Sequence, residues 1–395
     1  MLRQLDRVDG RDKPGHDGWG LQVRCESVTE GSCRAAFLTS SRVRCMTDLP
    51  KLKFAAIGLD HRHIYDQLRG LLDIGAECAG FWTRGNPQPL AGFVERFPQI
   101  PRIDDVCRIL EDPSVQLIAC AAIPCDRAGL AVEAMRHGKD VMVDKPGIVT
   151  SSQLDDVKRV QRETGRIFSV NFTERFEVRA VTRAAELIEA GEIGCVLQTV
   201  GLGPHRLNRQ LRPEWFFRKE AYGGILVDIA SHQIEQFLFF ARARDAEIVA
   251  ARAGNLAHPG DPDFEDFGEV LLAAGPVSGY VRVDWFTPDG LAAWGDGRLT
   301  ILGTDGYIEL RKYIDIAGRS GKDHLFLVNG RGTRYVDCSD ADLPYYRCLA
   351  RDVFERTETA MAQAHCFKVC ELALAAQAKA DATPIGEVRE PGRIS

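Results

Sequence analysis

The sequence predicts an α/β fold in two parts: a doubly wound N-terminal domain on a parallel sheet, then an α+β domain with a mostly antiparallel open sheet. Three observations carry this reading. From Lys51 to about residue 170, continuous apolar runs alternate with helical stretches, as expected of strands covered on both faces. After about residue 171, strand candidates follow one another with Gly-containing turns. The first apolar run, "FAAIG", passes through a short polar turn into a helix, the order of a nucleotide-binding crossover.

In chain order, "KFAAIG" reads as a buried strand, His63 to Leu72 as a helix, "AECAGFW" as a second strand and "LAGFVERF" as a short helix. "VQLIACAAI" is another buried strand, and "DRAGLAVEAMRHG" a helix closed by Gly138. "DVMVDKPG" is a strand and turn, "SSQLDDVKRVQRETG" a helix entered from a serine cap, and "RIFSVNF" a strand. This is Rossmann architecture, whose ligands sit at the carboxyl ends of the strands. Beyond it, "AVTRAAELIEAG" and "GGILVDIASHQIEQFLFF" read as helices. "EIVAARAG", "FGEVLLAA", "SGYVRVDWF", "RLTILGT", "GYIELRKYI", "HLFLVNG" and "TRYVD" read as strands, and Arg351 to Lys379 as one long helix.

A chain of 395 residues accommodates two cores. The expected divisions are an extension over 1–48, a nucleotide-binding domain over 49–170, and a substrate and oligomerisation domain over 171–395. The extension shows no hydrophobic period and cannot offset the entropy of ordering it, so it is expected to be disordered, or not made at all if translation starts at Met46. A net charge of −6 provides no footprint for nucleic acid and no polybasic membrane patch. No run of 18 apolar residues signals a membrane span. Twelve cysteines without a C-x-x-C pair suggest free thiols in a reducing, cytoplasmic setting. In "AHCFKVC" only Cys366 and Cys370 share a helix face, so it reads as packing and not as a metal site.

Two stretches carry candidate chemistry. In "DVMVDKPG", Asp144, Lys145 and Pro146 lie where a strand meets the ligand cleft, although the same pattern describes a surface turn with a solvated lysine. In "YGGILVDIASHQIEQFLFF", a period of ~100° per residue puts Asp228, Ser231, His232 and Glu235 on one helix face. That face could be solvated, or it could present an oriented histidine, whose ordinary pKa of ~6.5 suits proton transfer near neutrality.

Together with "ILGTDGYIEL" and "AGEIGCV", these stretches resemble the glucose–fructose oxidoreductase and inositol dehydrogenase group (Gfo/Idh/MocA) over roughly Lys51 to Ala378. The resemblance implies NAD(P)-dependent oxidation or reduction at a secondary alcohol or ketone of a sugar, cyclitol or related polyol. It places the catalytic lysine at Lys145, the aspartate at Asp228 and the histidine at His232. It implies a cis Lys145–Pro146 bond, a homodimer or homotetramer joined through the open sheet, and Asp144 where the family usually has glutamate. Two other readings stay open: a redox-cycling glycosidase that uses NAD without net turnover, and a non-catalytic NAD(P)-binding sensor.

The cofactor turn should read Gly-x-Gly-x-x-Gly, but it reads Gly58-Leu59-Asp60-His61-Arg62-His63. Asp60 adds bulk and negative charge near phosphates; Arg62 and the helix N-terminus partly offset it. A metal reading of Asp60, His61 and His63 needs further ligands, which nothing in this part of the sequence suggests; lost cofactor binding is the other alternative. The adopted reading is an unusual but working cofactor turn. The second strand ends without an acid to hold ribose hydroxyls. Trp82, Thr83 and Arg84 stand there, and Thr83 and Arg84 could bind a 2′-phosphate, which favours NADP over NAD. Pro124 completes the expected cofactor contacts with Asp144 and Lys145. Asn171, Arg175, His205, Trp215 and Arg218 are candidates for contacting the substrate.

Overall fold

A computed structural model describes residues 50–383 and Ile385. The expectations for residues 1–48 lie outside the described residues. Five strands, β1 (Lys53–Ile57), β2 (Glu77–Trp82), β3 (Leu117–Cys120), β4 (Asp140–Asp144) and β5 (Phe168–Asn171), form one parallel sheet in the order β2-β1-β3-β4-β5. Residues of β3, β4 and β5 are buried without exception, which is why these strands read as unbroken apolar runs. Helices Ile64–Asp73, Pro124–Arg136 and Ser151–Thr164 connect them. The last is capped by Thr150, one residue before the expected serine: Thr150 Oγ1 accepts the Gln153 amide at 3.2 Å, and Gln153 Oε1 accepts the Val149 amide at 2.9 Å.

The second sheet runs β13-β12-β11-β10-β6-β9-β8-β7. Its strands are β6 (Val196–Pro204), β7 (Glu247–Gly254), β8 (Phe267–Ala274), β9 (Val277–Asp284), β10 (Arg298–Gly303), β11 (Gly306–Arg311), β12 (His324–Asn329) and β13 (Gly332–Val336). Every pairing is antiparallel except β6 with β9. The sequence reading missed β6, the strand between β10 and β9. Its glycines hid it, and packing requires them: a Cβ on Gly201 or Gly203 would lie 2.9 or 2.8 Å from the Gln233 side chain of the helix Ala230–Ala241, which covers this face. The opposite face carries Leu271, Leu302 and Tyr307, each near 40% exposed.

Two helix expectations need correction. "GGILVDIASHQIEQFLFF" divides at Ile229 into Ile225–Asp228 and Ala230–Ala241. Arg351 to Lys379 is not one helix. Tyr345–Glu355 ends at Arg356, in left-handed conformation (φ 56°), and Gln363–Asp381 begins afresh. Buried Asp352 organises the break, because its carboxylate accepts from the Thr357 and Thr359 hydroxyls and the Thr359 and Ala360 amides.

The described cysteines are free, and no helix of the described residues is long and apolar enough to cross a membrane. A buried ion pair joins Lys312 to Glu174, which also accepts from Gln233 at 3.0 Å. Lys312→Met would leave Glu174 buried without its cation, a loss of about 3–5 kcal/mol. Urea unfolding should report that loss, and the double variant Lys312→Met/Glu174→Leu should recover most of it.

Candidate active site

The carboxyl end of β4 is held by a residue to which the sequence reading gave no role. Arg127, on the helix Pro124–Arg136, is fully buried. Its Nε donates to the Ala122 carbonyl at 2.8 Å, and Nη1 donates to the carbonyls of Asp144 (3.0 Å), Lys145 (2.5 Å) and Pro146 (3.0 Å). Nη2 donates to the Asp144 carboxylate at 3.0 Å. The Lys145–Pro146 bond is cis, as expected.

Lys145 is buried, so the solvated-turn reading of "DKPG" does not hold. Its ammonium donates to Asp228 Oδ1 at 3.0 Å and to the Asp228 carbonyl at 3.2 Å. Asp228 ends the short helix Ile225–Asp228, which Gly224 positions. At φ +92° a Cβ there would lie 2.3 Å from Gln377 Oε1, the atom that accepts the Leu226 amide. His232 lies on the following helix and is buried. Burial pushes its pKa well below the ordinary histidine value, and the charges of Lys145 and Lys312 push the same way. Its Nδ1 has no partner among the described residues, and no hydrogen bond joins it to Asp228 or Lys145. Asp228 thus holds the lysine and makes no hydrogen bond to the imidazole. The solvated-face reading also fails, since Ser231, His232 and Glu235 are all buried.

A cavity of about 270 Å³ lies at the carboxyl ends of the parallel strands. Lys145, Asp228 and the turn residues Asp60, His61, Arg62 and His63 line one side. His205, Arg212, Trp215, Trp285 and Trp294 line the other. His205 is flanked by the rings of Trp294 (4.5 Å) and Trp285 (5.1 Å). Its Nδ1–H donates to the Gly203 carbonyl at 3.0 Å, so the neutral ring keeps Nε2 as an acceptor. Burial lowers its pKa to about 3, and the nearby Lys145 charge adds to this.

Of the five substrate candidates, His205 and Trp215 face the cavity. Asn171, Arg175 and Arg218 do not. Asn171 is buried against Tyr346 and Glu177, Arg175 pairs with buried Glu235, and Arg218 is exposed beside Glu220. Arg206, Arg212, Trp285 and Trp294 were missed, since they come from loops without a period to mark them.

The turn that replaces the glycines is built around Asp144. Gly58 keeps its role: at φ +75° its Cβ would sit 2.5 Å from Ala122 Cβ. Leu59 is buried, and its amide donates to Thr83 Oγ1 at 3.2 Å. His63 Nδ1–H donates to Asp144 Oδ1 at 2.8 Å, and His61 Nδ1 lies 3.1 Å from Oδ2. The fold thus brings a further ligand-type group, Asp144, to the two histidines, while Asp60 lies outside the cluster. Candidate metal-ligand atoms of His61, His63 and Asp144 fall within 4.8 Å of one another, and here hydrogen bonds join them. Burial alone would raise the Asp144 pKa, but His63, Arg127 and His61 outweigh it and hold the carboxyl well below the usual range. Burial lowers the His61 pKa to about 3. Asp144 is therefore committed inward, to Arg127, His63 and His61.

A nicotinamide dinucleotide fits this chain's residues. The Arg62 amide has no partner among the described residues, and its guanidinium is exposed on the cavity wall. Burial raises the Asp60 pKa, and the nearby Arg127 charge works against that rise. Pro124 is buried at the first turn of its helix. Past β2, the buried Thr83 hydroxyl accepts the Leu59 amide and keeps its own O–H as a donor. Arg102 pins the loop by donating to the Thr83 and Gly85 carbonyls, and Arg84 is left exposed next to Trp82.

Comparisons with known proteins agree with this geometry. Residues 53–172 match the oxidoreductase family with an NAD-binding Rossmann fold, and residues 181–309 match the GFO/IDH/MocA C-terminal domain. A putative oxidoreductase of known structure from Erwinia carotovora atroseptica is 48% identical, with a TM-score of 0.82 over 85% of this chain and 100% of that one. The scyllo-inositol 2-dehydrogenase (NAD(+)) of Bacillus subtilis is 24% identical over 238 residues, 59% of this chain and 64% of that protein. The scyllo-inositol 2-dehydrogenase (NADP(+)) IolW of the same organism is 26% identical over 163 residues, 40% of this chain and 44% of that protein.

Buried His232 and the half-buried His61 and His205, held neutral by their surroundings, make stability depend on pH. Their folded pKa values lie below the unfolded value of ~6.5, so the unfolded chain takes up protons first as pH falls. Stability should be complete above pH ~6.5 and decline toward pH 3. His232→Gln should flatten that decline by roughly 1 kcal/mol per pH unit, read from urea midpoints at pH 7, 6 and 5.

Proposed function

Because the chain belongs to the Gfo/Idh/MocA oxidoreductase family, we propose that it is an NAD(P)-dependent oxidoreductase acting on a secondary alcohol or ketone of a sugar, cyclitol or related polyol. The observation that carries this reading is the Lys145–Asp228 pair, facing a cavity at the carboxyl ends of the parallel strands. The two inositol dehydrogenase relatives, one named for NAD(+) and one for NADP(+), support the substrate class and leave both cofactors in play.

The nicotinamide, when bound, accepts or returns a hydride at the substrate carbon. The chain manages the proton. In oxidation the hydroxyl loses its proton as the carbon–hydrogen bond breaks, so the oxygen becomes more anionic. The Lys145 ammonium, buried and aimed by Asp228, hydrogen-bonds that oxygen and favours its developing charge. His232, held neutral by burial, is in the state that accepts a proton. His205 offers Nε2 to a substrate hydroxyl, and Trp215 packs against a ring face. On the cofactor side, Gly58 to Arg62 receive the pyrophosphate, with Pro124 beside them, and Arg84 receives a 2′-phosphate.

Two outcomes test the reading. Lys145→Ala should lower turnover of a responsive polyol by roughly 10²–10⁴-fold while nicotinamide dinucleotide binding persists in calorimetry. Wild-type turnover in that variant would refute the lysine's role, and dinucleotide binding without turnover of any polyol would favour a sensor. In the second, NADPH should bind more tightly than NADH, and Arg84→Ala should weaken NADPH alone. A charge-assisted hydrogen bond contributes ~1.5–3 kcal/mol, a tenfold to hundredfold change. Equal affinities in the unmutated protein count against the assignment.

A further inference from the structure

We propose that the cavity takes a carboxylated substrate, an acidic sugar or acidic cyclitol, and that Arg212 is the residue that selects it. This rests on the dehydrogenase reading of the same cavity and narrows its substrate class.

The argument begins with a half-buried cation that lacks an anion. The Arg212 guanidinium lies 4.5 Å over the Phe216 ring and 5.1 Å over the Trp285 ring. Its Nε donates to the Leu207 carbonyl at 2.8 Å and Nη2 to the Arg206 carbonyl at 3.3 Å. These contacts fix the plane of the fork. They leave Nη1 without a hydrogen-bond partner among the described residues, in a side chain that lines the cavity. No carboxylate among the described residues pairs with it. Burial works against its charge, and only the nearby Asp228 works for it.

Asp228 is already committed, because Lys145 holds its carboxylate. The other charges on this side do not supply the missing anion. Arg206 adds a second cation, tied to the carbonyls of Pro288 and Leu291 beside exposed Asp289. The substrate side of the cavity therefore carries an excess of positive charge between aromatic walls. A cation partly removed from water is costly unless a partner offsets it, and a carboxylate matches two parallel guanidinium hydrogens. A neutral polyol would leave that demand unmet. A ring with a carboxylate would meet it, while its hydroxyls face Lys145 and His205 and its apolar face lies on tryptophan.

The test uses matched pairs that differ by the charge: D-glucuronate with D-glucose, D-galacturonate with D-galactose, and quinate with myo-inositol. Each is assayed with NAD+ and NADP+ for turnover, and by calorimetry for binding to the dinucleotide-loaded full chain. The acidic member of at least one pair should show kcat/KM tenfold or more above its neutral partner, and added salt should shrink that margin. Arg212→Gln should lower the acid-to-neutral ratio by tenfold to a hundredfold, and Arg212→Lys should restore part of it. Neutral members used as well as acidic ones would overturn the inference and leave the dehydrogenase reading standing. So would a ratio unchanged in Arg212→Gln, with melting temperature and dinucleotide binding confirming its fold. Acid binding that depends on Arg212 without turnover of any member supports the anion site and counts against the dehydrogenase. Failure of every member to bind overturns the inference.

Discussion

The buried guanidinium of Arg127 fixes the place of the site. Its hydrogen bonds gather the end of β3, through Ala122, and the whole Asp144-Lys145-Pro146 turn after β4. Without it, four carbonyls and the Asp144 carboxylate would lose their shared donor, and backbone groups buried in that way are expensive to leave unpaired. Asp144 then serves as a hub. It neutralises Arg127 on one oxygen and anchors the two turn histidines, so one ion pair sets both the path of the Gly58 to His63 turn and the position of Lys145. Of the two residues at the missing glycine positions, Asp60 and His63, His63 joins this cluster, with its neighbour His61 beside it.

Much of this was legible in the sequence, for identifiable reasons. β3, β4 and β5 announced themselves because both faces of each are buried, so apolar residues dominate their runs. "DKPG" and "GGILVDIASH" marked the lysine and aspartate that the fold brings together. What failed was long-range. β6 was hidden because Gly201, Gly203 and Pro204 look like loop residues until Gln233 is known to press against them. Arg127 looked like an ordinary helix arginine, since nothing local says that its partners lie at the end of the next strand.

The helix carrying His232 shows the limit of periodicity. A polar stripe on an amphipathic helix usually faces water. Here Gln233, Glu235 and Gln236 are buried with Ser231 and His232, and the partners of two of them are distant in sequence: Glu174 for Gln233, and Arg175 and His365 for Glu235. Arg175, read as a substrate contact, instead stabilises this helix, stacked on Phe176 and Phe239. Polarity in the pattern was real, but its partners lie in the protein and not in solvent.

The placement of β6 also sets how the second sheet can assemble. β7 to β9 and β10 to β13 can each zip locally as hairpins once synthesised. β6 cannot. Val200 must find Tyr280 on one side and Thr300 on the other, and until it does, each hairpin block exposes an open edge. Closing that gap requires long loops to be ordered before any pairing rewards them, which makes it a slow, high-contact-order step. A nascent chain released before β10 would carry β6 with one side unpaired, a template for joining another copy edge to edge. The tight glycine contacts with Gln233 admit β6 only in one register, so the strand hardest to see in the sequence is also the one that commits the sheet to its final order.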